Sequence, residues 1–280
     1  MISVVVPAHN EAAVIGRLLR GLLDGARPGE MEVVVVPNGC TDDTERVVAS
    51  FGDAVAMVPL ARAGKYAALR AGDDRTSGSE VVYLDADVEI GADGVRGLAA
   101  ALHEPGVLAV APERVVATER SSLPVRWYYD IWQELPGVRE GLFGRGVIGV
   151  SQEARKRLRA LPDVMGDDLA ASIAFAPNER RVVPGSRVVV HAPRTVGDLL
   201  RRRIRSVTAT TQLRQVTTTS MDSARTTKAD LLGIVRRRPL AVPKMAVFLA
   251  VTAITRWRAR APISSGDFTT WLRDESSRRI

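Results

Sequence analysis

Hydrophobic and polar positions divide the first half of the chain into alternating strand and helix segments. "ISVVVPA" is a short run rich in β-branched residues, which suits a pleated strand. "AAVIGRLLRGLL" has apolar residues at helical spacing, and Asn10 and Glu11 stand where that helix opens. "MEVVVVPN" is apolar without alternation, the pattern of a strand covered on both faces. "TDDTERVVASF" reads as a helix, with Thr41 or Asp42 as N-cap and acids in its first turn. The run "AVAMVPL", a helix across "GKYAALRAGDD" and the strand "EVVYLDAD" complete the series. Strand, helix, strand repeated this often predicts an α/β fold, a mostly parallel sheet flanked by helices and joined by right-handed crossovers. Ligands of such sheets sit at the carboxyl ends of the strands. "PAHNE", "PNGCTDD" and "DADVE" each fall just after the last apolar residue of a strand, so three polar tips share one sheet edge.

The second half is less regular. The strand "VLAVAPERVV" precedes an aromatic-rich helix, "RWYYDIWQEL". "LFGRGVIGVS" is Gly-spaced and strand-like, "QEARKRLRAL" is helical, and "MGDDLAASIAF" opens a helix with acids. "RRVVPGSRVVVHAP" is expected to be a hairpin turning at Pro-Gly, followed by a basic helix, "TVGDLLRRRIRSVTATTQL", with Thr195 as N-cap. From about Asp222 the character changes. "LAVPKMAVFLAVTAITRW" is apolar, broken by Pro243 and Lys244, and flanked by "RRR" and "RWRAR". Its unbroken apolar part is short for a bilayer span. It reads either as an amphipathic helix at a membrane surface or as a helix packed on the domain with its arginines in water. The predicted organisation is a catalytic domain over 1–221, with halves at 1–110 and 111–221, and a basic, partly apolar helical extension over 222–280.

Charge sharpens that division. From Arg194 onward there are 18 Lys/Arg against 6 Asp/Glu, a surplus of twelve positive charges; with +7 for the whole chain, the first 193 residues carry five net negative charges. A basic tail suits anionic lipid, a phosphorylated ligand or nucleic acid. With 5% aromatics and no recognised binding motif, nucleic acid is set aside. The single cysteine, Cys40, rules out an internal disulfide within these 280 residues and suits a reducing compartment. "MISVVVPAHNE" has no basic n-region and reads as a strand, which makes a cytoplasmic protein, peripherally membrane-associated through its basic segment, the expectation.

The chemistry gathers where "VVYL" runs into Asp85, Asp87 and Glu89. A strand interior does not hold unpaired carboxylates cheaply. Two carboxylates one residue apart at a strand end can share Mg²⁺ or Mn²⁺, which take hard oxygen ligands, although a solvated loop also explains such a pair.

Taken together, "VVVPAHNE", "VVVPNGCTDDT", "GKYAAL" and "YLDADVEI" resemble, in order and spacing, the family 2 glycosyltransferases, which have the GT-A fold. The resemblance covers roughly residues 2–215 and implies a nucleotide-sugar-dependent, inverting, metal-assisted sugar transfer. It implies that Pro7, His9 and Glu11 flank base and ribose, that Asn38 and Asp42 lie beside the base, and that Lys65 reaches toward the nucleotide. It makes Asp85, Ala86 and Asp87 the Asp-x-Asp segment, with Asp87 holding the metal on the donor diphosphate. "VMGDDLAAS" matches the family's acidic pair, so Asp168, or secondarily Asp167, would take the proton of the acceptor hydroxyl. His191 stands where relatives complete the metal shell. "RRRIR" resembles the Gln-Arg-x-Arg-Trp motif, with Arg202 at the Gln position, Arg203 and Arg205 at the arginines and Ser206 in place of Trp; Arg205 is suited to phosphate. Arg145 and Trp132 fall on the acceptor side.

Plainer readings stand beside these. Glu11 can cap a helix, Lys65 can be a solvated helix residue, Asp168 can serve the helix dipole, and His191 can be structural. The missing Trp speaks against processive polymer synthesis and for a small or lipid-linked acceptor. Asn38, where many relatives carry Asp, leaves the donor a UDP-sugar first and a GDP-sugar second. The rival functions are a nucleotidyltransferase of similar layout, which usually has a Gly-rich basic loop where this chain has "PAHNEAAV", and a catalytically inactive nucleotide-sugar-binding protein.

Overall fold

The computed structural model describes residues 1–217, 226–267, 274 and 276–278. Its strands are β1 (Ile2–Ala8), β2 (Met31–Pro37), β3 (Ala56–Met57), β4 (Glu80–Leu84), β5 (Val88–Glu89), β6 (Ala109–Ala117), β7 (Val147–Val150) and β8 (Arg180–His191). They form one sheet ordered β3-β2-β1-β4-β7-β6-β8-β5. The pairings of β1 with β2 and β4, of β2 with β3 and of β6 with β8 are parallel. β7 enters between β4 and β6 antiparallel to both, and β5 runs antiparallel to β8. The sheet is therefore mixed, with a parallel half built by the alternation read in the first half of the sequence.

Helices cover both faces: α1 (Ile15–Leu23), α2 (Thr44–Ala49), α3 (Lys65–Arg75), α4 (Ala92–Ala101), α5 (Leu123–Trp132), α6 (Pro136–Glu140), α7 (Gln152–Arg159), α8 (Asp167–Ile173), α9 (Val196–Val216), α10 (Lys228–Arg237) and α11 (Val242–Ser264). Every residue of β1 is buried, because Val4 and Val6 meet Leu18, Leu19 and Leu22 of α1 while Val5 belongs to the opposite core with Val81 and Phe175. Each such side chain contributes roughly 1.5–3 kcal/mol by leaving water. α3 lies close on the sheet: a Cβ at Gly72 would come 2.4 Å from Val5 Cγ1 and 3.1 Å from Val36 Cγ2. That contact fixes where the first residue of α3, Lys65, projects.

The hairpin expected over "RRVVPGSRVVVH" does not form. β8 is one strand of 12 residues, parallel to β6 throughout, and its register jumps from Pro112↔Val183 to Glu113↔Arg187. Pro184, Gly185 and Ser186 bulge out, with Gly185 at φ +83°, and the chain continues in the same direction. Pro-Gly supplied the bulge, and burial of Val183, Val188 and Val190 kept both halves on one sheet edge. The run "AVAMVPL" yields only the two-residue edge strand β3.

The predicted boundary at 221/222 falls outside the described residues. Beyond it, α11 packs on α5 and α9 in a core of its own: Phe248 stacks on Tyr128 at 5.2 Å between ring centroids, with Met245, Val251 and Leu199 around them. Lys244 pairs with Asp130 and Arg238 with Glu134. The packed-helix reading of this segment is thus the one the structure shows for its inner face. The outer face leaves Leu240, Leu249, Ile254 and Trp257 exposed.

Candidate active site

The strand tips converge as their positions in the parallel half require. At the end of β4 the Asp85 N–H donates to the Gly146 carbonyl at 2.7 Å. Gly146 has φ +64°, and a Cβ there would stand 2.6 Å from Val88 Cγ1 and 3.1 Å from Asp85 Oδ2, so only glycine allows this approach. Lys65 Nζ lies 2.6 Å from Asp85 Oδ1 and 2.9 Å from Asp167 Oδ2. Burial alone would lower the Lys65 pKa, but Asp167 and Asp85 together hold it well above its ordinary value. It is an ion-paired bridge, not a solvated helix residue. Asp168, next to Asp167 in the first turn of α8, accepts the Gly144 N–H at Oδ2, 2.7 Å, and the Leu169 N–H at Oδ1, 2.8 Å. Beside these carboxylates opens a cavity of about 120 Å³, its walls mostly apolar with Leu69, Leu142, Ile148, Leu158 and Leu161, and Pro7 at its edge.

Asp87 faces a different cation. Arg278 Nη2 stands 2.7 Å from Asp87 Oδ2, and Arg278 Nε donates to Glu11 Oε2 at 2.9 Å. Burial would raise the Asp87 pKa, but Arg278, then Arg202, Arg205 and Lys65 hold it below the ordinary carboxylate range. Burial lowers the Arg205 pKa, and the neighbouring Arg202 and Arg278 push the same way. The carboxylates that close "VVYLDAD" are thus matched by organic cations, and Glu11, Asp274 and Asp85 act on the same arginines. Glu11 is an ion-pair partner here, and Ala86 is buried in the turn between the two aspartates.

Several expected residues take structural places instead. Asn38 is buried; its amide donates to the carbonyls of Ala8 (2.9 Å) and Val36 (3.2 Å) and its oxygen accepts the Gly64 N–H (3.0 Å). It ties the ends of β1 and β2 to Gly64 ahead of α3 and is not turned outward to a base. Asp42 accepts from Ala12 and Thr44 N–H and from the Thr44 hydroxyl, holding the loop after β2 on the one after β1. His9 Nδ1 lies 2.6 Å from the Asn38 carbonyl.

Arg145, expected at the acceptor, is buried and gives its N–H groups to four carbonyls, those of Gly141, Pro112, Val138 and Arg139. Burial lowers its pKa to about 10. The guanidinium braces the 141–146 loop, with its N–H groups directed at backbone carbonyls. Trp132 stacks under Arg114, 4.4 Å from ring centroid to guanidinium carbon, at the side of Gly144. His191 Nε2 is 2.5 Å from Glu89 Oε1, not on Asp87, and among the described residues no group of three His, Cys, Asp or Glu side chains is poised around one metal position. The oxygen donors of Asp85 and Asp87 nevertheless fit a hard divalent cation, since both already face positive charge. Arg278 had no signal in the sequence: "SSRRI" lies beyond every matched motif, and only folding brings it to Glu11.

Residues 3–146 match the sequence pattern described as Glycosyl transferase family 2, slightly more than half of the chain. The chain belongs to this family. Curated relatives in part overlap it: glycosyltransferase AglE of Haloferax volcanii is 32% identical over 91 residues, 31% of this chain and 30% of AglE. The 4,4'-diaponeurosporenoate glycosyltransferase of Staphylococcus aureus is 30% identical over 122 residues, 41% of this chain and 32% of the relative. The chain thus spans about a third of the length of these relatives. Among solved structures, the Pyrobaculum calidifontis mannosyltransferase PcManGT, in complex with GDP-Man and Mn²⁺, superposes with a TM-score of 0.60 at 22% identity, over 95% of this chain and 79% of the other. Glucosyl-3-phosphoglycerate synthase of Mycobacterium tuberculosis, with Mn²⁺, UDP and glucosyl-3-phosphoglycerate, gives 0.54 at 24% identity, over 76% and 79%. At these identities the likeness is one of fold, and the family 2 chain has the GT-A fold.

Proposed function

We propose that this family 2 protein transfers a sugar from a nucleoside-diphosphate donor to an acceptor hydroxyl or amine with inversion at the anomeric carbon. The observation that carries the reading is the bridge of Lys65 between Asp85 and Asp167, which puts the donor-side strand tip and the acidic pair on one cleft wall. Lys65 and the arginines around Asp87 bind and orient the diphosphate, whose charge grows as it departs. Asp168, fixed by Gly144, takes the proton of the attacking hydroxyl. Mg²⁺ or Mn²⁺ held by Asp87 and Asp85 would add Lewis-acid stabilisation of that leaving group. The solved neighbours carry GDP-Man or UDP with Mn²⁺, which supports a UDP- or GDP-sugar as donor.

The apolar cavity beside Asp167 and Asp168 favours an acceptor with a hydrophobic part, a small apolar molecule or a lipid-linked one. The exposed Leu240, Leu249, Ile254 and Trp257, with Arg256 and the 236–238 arginines nearby in sequence, fit the headgroup region of an anionic membrane. The segment 239–264 is also long and apolar enough to cross a membrane by length and composition, but its packing on α5 and α9 favours a surface position.

The test is release of UDP or GDP from nucleotide sugars with Mn²⁺ and hydroxyl acceptors. Activity is expected to vanish with Asp87→Ala and with chelator; full turnover in chelator overturns the metal assignment. Pyrophosphate release from a nucleoside triphosphate instead overturns sugar transfer.

A further inference from the structure

Arg278 is the side chain on Asp87 that no motif accounts for. Its guanidinium makes three contacts of different kinds: Nη2 on Asp87 Oδ2 at 2.7 Å, Nε on the Glu11 carboxylate at 2.9 and 3.2 Å, and Nη1 to the Asp274 carbonyl at 2.8 Å. The backbone behind it is anchored. The buried Asp274 carboxylate accepts from the Ser276 N–H and hydroxyl at 2.9 and 2.8 Å, and the Arg194 N–H donates to Ser276 Oγ at 2.9 Å, just ahead of α9. The Arg278 side chain stays 16% exposed and is not lost in the core.

The charges around it form a network and not a single ion pair. Arg202 and Arg205 of α9 act on the same Asp87, and Arg202 Nη1 is fixed in place by the His191 carbonyl at 3.1 Å. Three guanidinium groups converge on this strand tip, where the carboxylates of Asp87, Glu11, Asp274 and Asp85 act on them. So many guanidinium groups at the carboxyl end of a sheet strand suit an incoming anion, and a diphosphate is the anion whose geometry a guanidinium fork matches two bonds at a time.

We propose that Arg278 is a donor-binding residue: it rests on Asp87, in the seat a divalent cation would take, and turns its Nη edge onto the donor's diphosphate while Nε keeps Glu11 as its anchor. This rests on the nucleotide-sugar reading of the site. A divalent cation and Arg278 then compete for Asp87 in the absence of nucleotide and cooperate in its presence. The diphosphate allows both, because it gives the displaced guanidinium a new partner.

Calorimetric titration of the full chain separates these effects, with Mn²⁺ alone as one probe and UDP or GDP in saturating Mn²⁺ as the other. Arg278→Ala is expected to bind Mn²⁺ alone several-fold more tightly than the unsubstituted protein, and to bind the nucleoside diphosphate at least tenfold more weakly. Arg278→Lys should fall between, since an ammonium restores charge without the fork. Both changes are required; unchanged Mn²⁺ affinity, or nucleotide affinity within twofold, overturns the proposal. A latch that merely holds the 274–278 segment would lower the melting temperature of Arg278→Ala with nucleotide affinity intact, which also overturns it. Failure of the unsubstituted protein to bind either nucleotide would overturn the donor reading itself, whereas normal binding untouched by Arg278→Ala removes only the role of Arg278.

Discussion

Lys65 Nζ stands 2.9 Å from Asp167 Oδ2, joining the start of α3 to the start of α8 across the mouth of the cleft. The same ammonium is 2.6 Å from Asp85, so one side chain neutralises carboxylates of the strand tip and of the acidic pair. Lys65→Met leaves both unmatched. The side chain is 31% exposed, so the stability loss is discounted from the roughly 3–5 kcal/mol of a buried pair to about 1–2 kcal/mol, readable by urea unfolding. Transfer should suffer more, because both carboxylates lose their orientation.

Asp168→Asn keeps an oxygen for the Gly144 N–H and so preserves the loop. What it removes is the ability to take a proton. Turnover at saturating donor is expected to fall by roughly 10²–10⁴-fold, while nucleotide affinity stays within about twofold. Equal losses in both would place Asp168 on the donor, not the acceptor.

Asp87 gives a pH signature. Burial would raise its pKa, but Arg278, Arg202, Arg205 and Lys65 hold it below the ordinary range. A carboxyl depressed on folding contributes stability above its unfolded pKa, near about 3.9, and loses it as pH falls through the lower folded value. The melting-temperature gap between the unsubstituted protein and Asp87→Asn should therefore stay constant from about pH 8 to about pH 5 and close only below about pH 4. A gap that closes near neutrality would exclude this cause.

Arg145→Met removes a donor from the carbonyls of Pro112, Val138, Arg139 and Gly141, of which Val138 keeps Arg114. Leaving buried acceptors unmatched costs about 1–3 kcal/mol apiece at most, and part is recovered by water and by removing a buried charge. A net loss on the order of 2–4 kcal/mol in denaturant unfolding is expected. A change confined to the acceptor KM, with stability unaltered, would restore it to the binding site.

The parallel half of the sheet was legible because its strands are apolar on both faces and α1 carries apolar residues at helical spacing. The positions of Asp85 and Asp87 were legible because strand ends in such sheets point one way, whereas Lys65, Asp167 and Asp168, at the starts of α3 and α8, were singled out only through the family resemblance. Three things were legible in neither way. Pro184–Gly185 has the chemistry of a turn, and only long-range pairing of β6 with β8 makes it a bulge. Arg145 carries a charge that suggests a ligand, yet the curled 141–146 loop surrounds it with carbonyls, which sequence spacing does not foretell. Arg278 meets Glu11 across nearly the whole chain, a contact no local pattern encodes.

The amide of Asn38 has a consequence for attempts to retune which nucleobase is accepted. Its nitrogen points at two carbonyl oxygens, those of Ala8 and Val36. Installing an aspartate there would set anionic oxygen against both of them and prise apart the loops that frame the entrance. Swapping this one amino acid would thus cost foldedness before it changed preference, and altered selectivity would have to be engineered from whatever lines the rim around it.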